Sequence, residues 1–103
     1  MTESELALIG LAMRAGALIV GASGVRAALK QGQVALVVVA GDRSRRTDEK
    51  VVRLAQGKGV RIQVGPEAIE LGRRVGRVQV QAVGVTDPKL AGGIGNVSAS
   101  NEA

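Results

Sequence analysis

The sequence predicts an α/β domain, a central sheet with helices on both faces. Three observations carry that reading. Helix-period and strand-like segments alternate in the order αβαβαβαβα. The run Val34 to Ala40 (VALVVVA) is β-branched and has no polar alternation, as in a central strand covered on both faces. Glycine or Gly-Pro punctuates the junctions at Gly16, Gly32, Gly57, Gly59, Gly65-Pro66 and Gly76. At 103 residues the chain fits one domain. That domain is expected over residues 1–92, with a flexible tail at 93–103 that is Gly, Ser and Asn with few apolar anchors. There is no internal repeat and no linker.

Thr2-Glu3-Ser4-Glu5 has capping-box spacing. Leu6, Ile9, Gly10 and Met13 recur on one helical face, so the first helix is expected over about residues 3–14, stopped by Gly16. Ala17 to Val20 is the first strand. A glycine-rich turn then opens a second helix over about 23–31, with Ser23 as N-cap and Val25, Ala28 and Leu29 facing inward. After the central strand comes a polar, basic loop, Gly41 to Thr47, in which Ser44 or Thr47 can cap a third helix. Asp48 and Glu49 suit the positive end of that helix, and Val51, Val52, Leu54 and Ala55 give it an apolar face. Arg61 to Val64 is a short strand. Pro66 sits at a favoured first helical position for a helix over about 66–75. Val78 and Val80 alternate with glutamines ahead of a last strand at Val83 to Val85, and Asp87-Pro88 starts a short final helix to about Ala91.

Composition excludes several functions. There is no cysteine, hence neither a disulfide nor a thiolate metal site, and no histidine, hence no imidazole base or ligand. No metal or cofactor is expected. No apolar run approaches the ~20 residues that span a bilayer, and the acidic start is unlike a signal peptide, so a cytoplasmic protein with no membrane partner is expected. Fourteen Lys and Arg against nine Asp and Glu give a formal charge of +5, which points toward a polyanion. The chain has no Phe, Tyr or Trp, so it cannot stack bases on aromatic rings. Nucleic acid would have to be met by backbone, cations, small polar groups and aliphatic side chains.

The motif that organises the chain is the turn Gly21-Ala22-Ser23-Gly24 between the first strand and the second helix. It delivers backbone N–H groups to the positive end of a helix, an anion or base-edge site. Ser23 serves there as a cap or as a contact. Arg26 and Lys30 are four apart and share a helical face, either solvated or clamping a backbone. Arg43, Arg45 and Arg46 lie in a loop after the central strand, where open α/β sheets place their sites, and phosphate contact is set against plain solvation. Gly16 to Ser23 has the glycine spacing of a phosphate loop but lacks its lysine, and Gly92-Gly93-Ile94-Gly95 reads as tail. Asp42, Asp48 and Glu49 read as structural carboxylates among cations, not as an acid–base pair. No catalytic constellation appears, so an enzyme is not expected.

The ordered segments Leu8 to Gly16, Val20-Gly21, Leu36 to Asp42, Glu70 to Gly76 and Val83 to Asp87 resemble the L7Ae/L30e family of RNA-binding proteins, most closely its small bacterial YlxQ-type members. The resemblance covers about residues 6–91. It implies a three-layer α/β/α sandwich around a mixed four-stranded sheet. It also implies binding of kink-turn RNA, a sharply bent duplex with tandem sheared G·A pairs, through the turn before the second helix and an aliphatic loop before the last strand. In better-known members the turn reads Gly, any residue, Asn, Glu, then Lys three positions on. The matching positions here are Gly21, Ser23, Gly24 and Ala27, with Arg26 one residue before the last, and the aliphatic loop matches Arg77, Val78, Gln79 and Val80. Gly24 offers only backbone where a carboxylate would accept from guanine, whereas phosphate contacts do not need that residue.

The expected function is therefore a non-enzymatic ribonucleoprotein component, a monomer binding kink-turn or ribosomal RNA, with the ribosome or translation factors as further partners. Gly21, Ala22, Ser23 and Gly24 would meet bases or phosphates. Arg26, Lys30, Arg43, Arg45 and Arg46 would supply charge, and Val78, Gln79 and Val80 would pack an unstacked nucleotide. The alternative is a protein of the same fold that has lost kink-turn recognition and serves as a protein-interaction module in translation.

Overall fold

The computed structural model of the chain describes residues 1–94. Its order is α1 (Glu3–Arg14), β1 (Leu18–Val20), α2 (Ala22–Lys30), β2 (Leu36–Val39), α3 (Arg45–Thr47), a π-helical segment (Asp48–Val52), α4 (Arg53–Gly57), β3 (Arg61–Val64), α5 (Ala68–Arg74), β4 (Ala82–Val85) and α6 (Pro88–Gly93). Four strands form one sheet in the order β1-β4-β2-β3. β4 runs antiparallel to both β1 and β2, and β3 runs parallel to β2, so the sheet is mixed.

Because side chains alternate across a strand, β2 divides its valines between two cores. Leu36 and Val38, with Val83 and Val85, pack against Leu6 and Ile9 of α1, Leu71 of α5, and Ala91 and Ile94 at the end of the chain's described part. Val37 and Val39 pack on the other face against Val25, Ala28 and Leu29 of α2 and against Val51 and Ala55. All four β2 residues are buried, as their unbroken apolar run predicts. The result is the three-layer sandwich expected above.

The first helix begins as its capping box dictates. Thr2 Oγ1 accepts from Glu5 N–H (3.2 Å), and Thr2 N–H donates to Glu5 Oε1 (2.7 Å). The second helix departs from expectation. Its N-cap is Gly21, not Ser23, and no side chain caps it. Gly21 adopts φ +99°, a conformation open to glycine, so the chain turns there and the helix starts one residue earlier than predicted. The fourth expected helix also shifts. Pro66 remains in the turn, where its carbonyl accepts from Gly41 N–H (3.0 Å), and α5 starts at Ala68 because Asp42 Oδ1 accepts that residue's N–H (2.8 Å). The last helix runs two residues past Ala91, and Ile94 is fully buried. Arg61 holds this end by donating to the Ile94 and Ala91 carbonyls (2.7 and 2.6 Å). The remaining part of the expected tail, from Gly95, lies outside the described residues.

Arg74 at the end of α5 bridges two helices. It donates through both terminal nitrogens to Glu3 (2.6 and 2.9 Å) and through Nε to Glu70 (3.0 Å). The hydrogen bond from Arg74 holds the Glu3 carboxyl below its ordinary carboxylate value. A depressed folded-state pKa contributes stability that is present above the unfolded value, ~4.3, and is lost as pH falls through the lowered one. In a Glu3→Gln variant, thermal unfolding followed by circular dichroism should show a shallower loss of Tm on acidification below about pH 4.3 than the wild type.

Gly72 of α5 lies against the loop that follows it. A Cβ there would stand 2.7 Å from Gln79 Cα and 2.9 Å from the Arg77 carbonyl oxygen. Alanine in a helix gains up to ~1 kcal/mol over glycine, but overpacking costs about 1–3 kcal/mol, and the obstruction here is backbone. Gly72→Ala is expected to lower Tm and to shift the amide resonances of residues 77–80.

Candidate functional site

Three segments converge at one end of the sheet around a cleft of about 480 Å³. The turn into α2 contributes Val20, Gly21, Ala22 and Ser23. The basic stretch after β2 contributes Ser44, Arg46, Thr47 and Lys50. The segment before β4 contributes Arg77, Gln79, Val80 and Gln81. Three cations line the cleft and no carboxylate does.

The α2 turn is fixed by one backbone bond. Gly21 N–H donates to the Ala82 carbonyl (2.9 Å), and the Gly21 carbonyl receives the first helical bond, from Val25 N–H (3.0 Å). The N–H of Gly21 is therefore engaged within the fold, contrary to the expectation that it faces a ligand. The amides of Ala22, Ser23 and Gly24 are the ones left at the helix start without an acceptor among the described residues. Ser23 stands in the first turn of α2, exposed, its hydroxyl uncommitted to capping. Gly24 does not line the cleft. It sits on β1, where a Cβ would stand 3.0 Å from Ile19 Cγ2.

The basic stretch is tied down from the far side of the cleft. Ser44 caps α3, its Oγ accepting from Thr47 N–H (3.3 Å). Gln81 Oε1 accepts from Ser44 N–H (2.9 Å) and from the Thr47 hydroxyl (2.7 Å). Below α3 the helix widens into its π-helical segment, where Arg53 N–H reaches back five residues to the Asp48 carbonyl. Arg26 of α2 donates to the Lys50 carbonyl of that segment (2.9 Å).

The five cations predicted as contacts separate. Arg46 lines the cleft. Arg43 turns inward, its Nε on Asp48 and its Nη1 on the Ala40 carbonyl (3.2 Å). Arg45 is exposed and does not line the cleft. Arg26 is a tie between α2 and the π-helical segment. Lys30 ends α2, about 12 Å along the helix from Ala22. The aliphatic pair separates too. Val80 is buried, its N–H on the Ala68 carbonyl (3.0 Å), while Val78 is 89% exposed and stands outside the cleft.

Sequence reasoning passed over Ser44, Thr47, Lys50 and Gln81 as contacts, and placed Arg77 in the loop without assigning it a role. Ser44 and Thr47 were legible only as cap candidates, and Lys50 only as a charge on a helix. Of the three carboxylates in this region, Asp42 accepts at the start of α5, and Asp48, expected to serve a helix N-terminus, pairs with Arg43. Among the described residues no group of three or more acidic side chains is arranged to hold a metal ion.

Comparison with known proteins agrees with this architecture. The chain is similar to a protein of unknown function from Bacillus halodurans C, at 27% identity and a TM-score of 0.84, over 99% of this chain and all of that one. It is similar in fold to a 15.5kD RNA-binding protein of Giardia lamblia, at 22% identity and a TM-score of 0.71, over 97% of this chain and 86% of that one. No curated protein matches it in sequence. The sequence model of the ribosomal protein L7Ae/L30e/S12e/Gadd45 family matches residues 5–92, which run from within α1 to within α6. The chain belongs to the ribosomal protein L7Ae/L30e/S12e/Gadd45 family.

Proposed function

We propose that this chain is a non-enzymatic RNA-binding protein of the ribosomal and kink-turn class, acting as a cytoplasmic monomer in the translation machinery. The observation that carries the reading is the lining of the cleft. Arg46, Lys50 and Arg77 line the same cleft as Ala22 and Ser23, whose amides are free, and no acidic side chain lines it. A lining with three cations, free helix-start amides and no carboxylate favours phosphate. Family membership and the RNA-binding Giardia neighbour support the same partner. The full-length match to the Bacillus halodurans protein supports a place among the small bacterial members. Phosphates would sit on the three cations, the α2 turn would meet the bend of the RNA, and Val80 with Gln79 would floor the cleft beneath an unstacked nucleotide.

Two observations favour a second reading. Gly24 brings no carboxylate to the turn and Arg26 is engaged on Lys50, so two positions that would read or clamp RNA are occupied otherwise. On that reading the domain docks a protein of the translation machinery. Co-purification of a protein partner that survives nuclease treatment would favour it.

The test is titration of a kink-turn RNA and a sequence-matched duplex at two salt concentrations. Tighter binding of the kink-turn RNA is expected, with a log–log salt slope of about −2 to −3 for three engaged cations. Arg46→Ala combined with Lys50→Ala should reduce the magnitude of that slope by about 1.4–1.8. Lys89→Ala, on α6, should leave it unchanged. Equal affinity for both RNAs would reduce the activity to nonspecific charge, and loss of neither affinity nor slope in the double variant would place the RNA elsewhere.

A further inference from the structure

We infer that Gln81 is a specificity-determining residue, donating its side-chain NH₂ to a hydrogen-bond acceptor on the edge of a base in bound RNA. This rests on the RNA-binding reading above and adds a residue and a chemistry to it. One atom of the Gln81 carboxamide is identified by its partner. The backbone N–H of Ser44 can only donate, so the carboxamide atom 2.9 Å away must be oxygen. The Thr47 hydroxyl donates to the same atom at 2.7 Å, and Thr47 is itself buried. Both lone pairs of Oε1 are thereby filled and the amide cannot rotate end for end. Its other end, Nε2, has no acceptor among the described residues, and no unpartnered side-chain polar atom is buried among them, so the NH₂ is accessible to solvent on a residue that lines the cleft.

A fixed neutral donor behaves differently from the cations beside it. A cation attracts any phosphate. An NH₂ of fixed direction donates to a ring nitrogen or carbonyl oxygen of a base and rejects an amino group, which would leave two donors facing each other. Gln79 lines the same cleft but forms no bond through its side chain among the described residues, so its carboxamide is free to present either end. Of these two glutamines, Gln81 is the one with a fixed donor.

The same contrast supplies the test. Gln81→Glu keeps an oxygen for Ser44 and Thr47 and turns the NH₂ into a second acceptor. Gln79→Glu adds the same charge to the same cleft without touching a fixed donor. Each variant, checked for folding by circular dichroism, is titrated with a kink-turn RNA and a sequence-matched duplex. Gln81→Glu should lose roughly tenfold more affinity for the kink-turn RNA than Gln79→Glu does, and no more than Gln79→Glu on the duplex. Equal losses in the two variants overturn the assignment. An extra loss of the same size on both RNAs also overturns it, because the acceptor is then a phosphate. If Gln81→Glu does not fold, the wild-type protein still decides. The Gln81 side-chain amide resonances should shift on saturation with kink-turn RNA, and their failure to move overturns the assignment. Wild-type protein that binds both RNAs equally overturns base reading and leaves RNA binding standing. Wild-type protein that binds neither overturns both.

Discussion

Three consecutive residues at the entrance to β4 hold the cleft together. Val80 N–H is bonded to Ala68 of α5, and the Gln81 carbonyl accepts from Ala40 at the end of β2. The Gln81 side chain takes Ser44 and Thr47 of α3, and the Ala82 carbonyl takes Gly21 before α2. Four elements distant in sequence are thus anchored to one short length of chain. β4 can serve as that anchor because it lies inside the sheet, paired on both edges, with all four of its residues buried. The tolerance of the loops is set by a rigid strand and not by the loops themselves, which is how a surface cleft acquires a defined shape.

The charge of the cleft follows from where the carboxylates go. Asp42 serves the start of α5, Asp48 holds Arg43, and Glu3 and Glu70 hold Arg74 on the opposite layer. Each of these four acids is engaged within the fold. Arg46, Lys50 and Arg77 have no carboxylate partner among the described residues and share the cleft. A formal charge of +5 spread evenly would attract polyanions weakly from every side. Keeping carboxylates out of the cleft lining leaves its three cations unopposed there.

Local signals in the sequence were enough for the frame. The capping box at Thr2 and Glu5, the stop at Gly16, and the apolar run around β2 each act within a few residues, and α1 and β3 begin and end where they were predicted. The site was legible only in outline. Ser23 looked like the cap because serine commonly is one, but a glycine at φ +99° decided the turn. Val78 and Val80 alternate as a strand would, yet the strand begins at Ala82, and only Val80 is drawn into the core by its bond to α5. Three arginines within four residues, Arg43, Arg45 and Arg46, carry the same local signal and end in three different environments. The bonds of Gln81 to Ser44 and Thr47 cross more than thirty residues of sequence. No periodicity reports a contact of that range.

The central claim is that the cleft held by Val80, Gln81 and Ala82 is where RNA binds. The most direct measurement is a map of backbone amide shifts on saturating the labelled protein with kink-turn RNA. The account predicts that the changes concentrate at residues 21–24, 44–50 and 77–82. Changes centred instead on α1, α5 and α6, with the cleft amides unmoved, would contradict it.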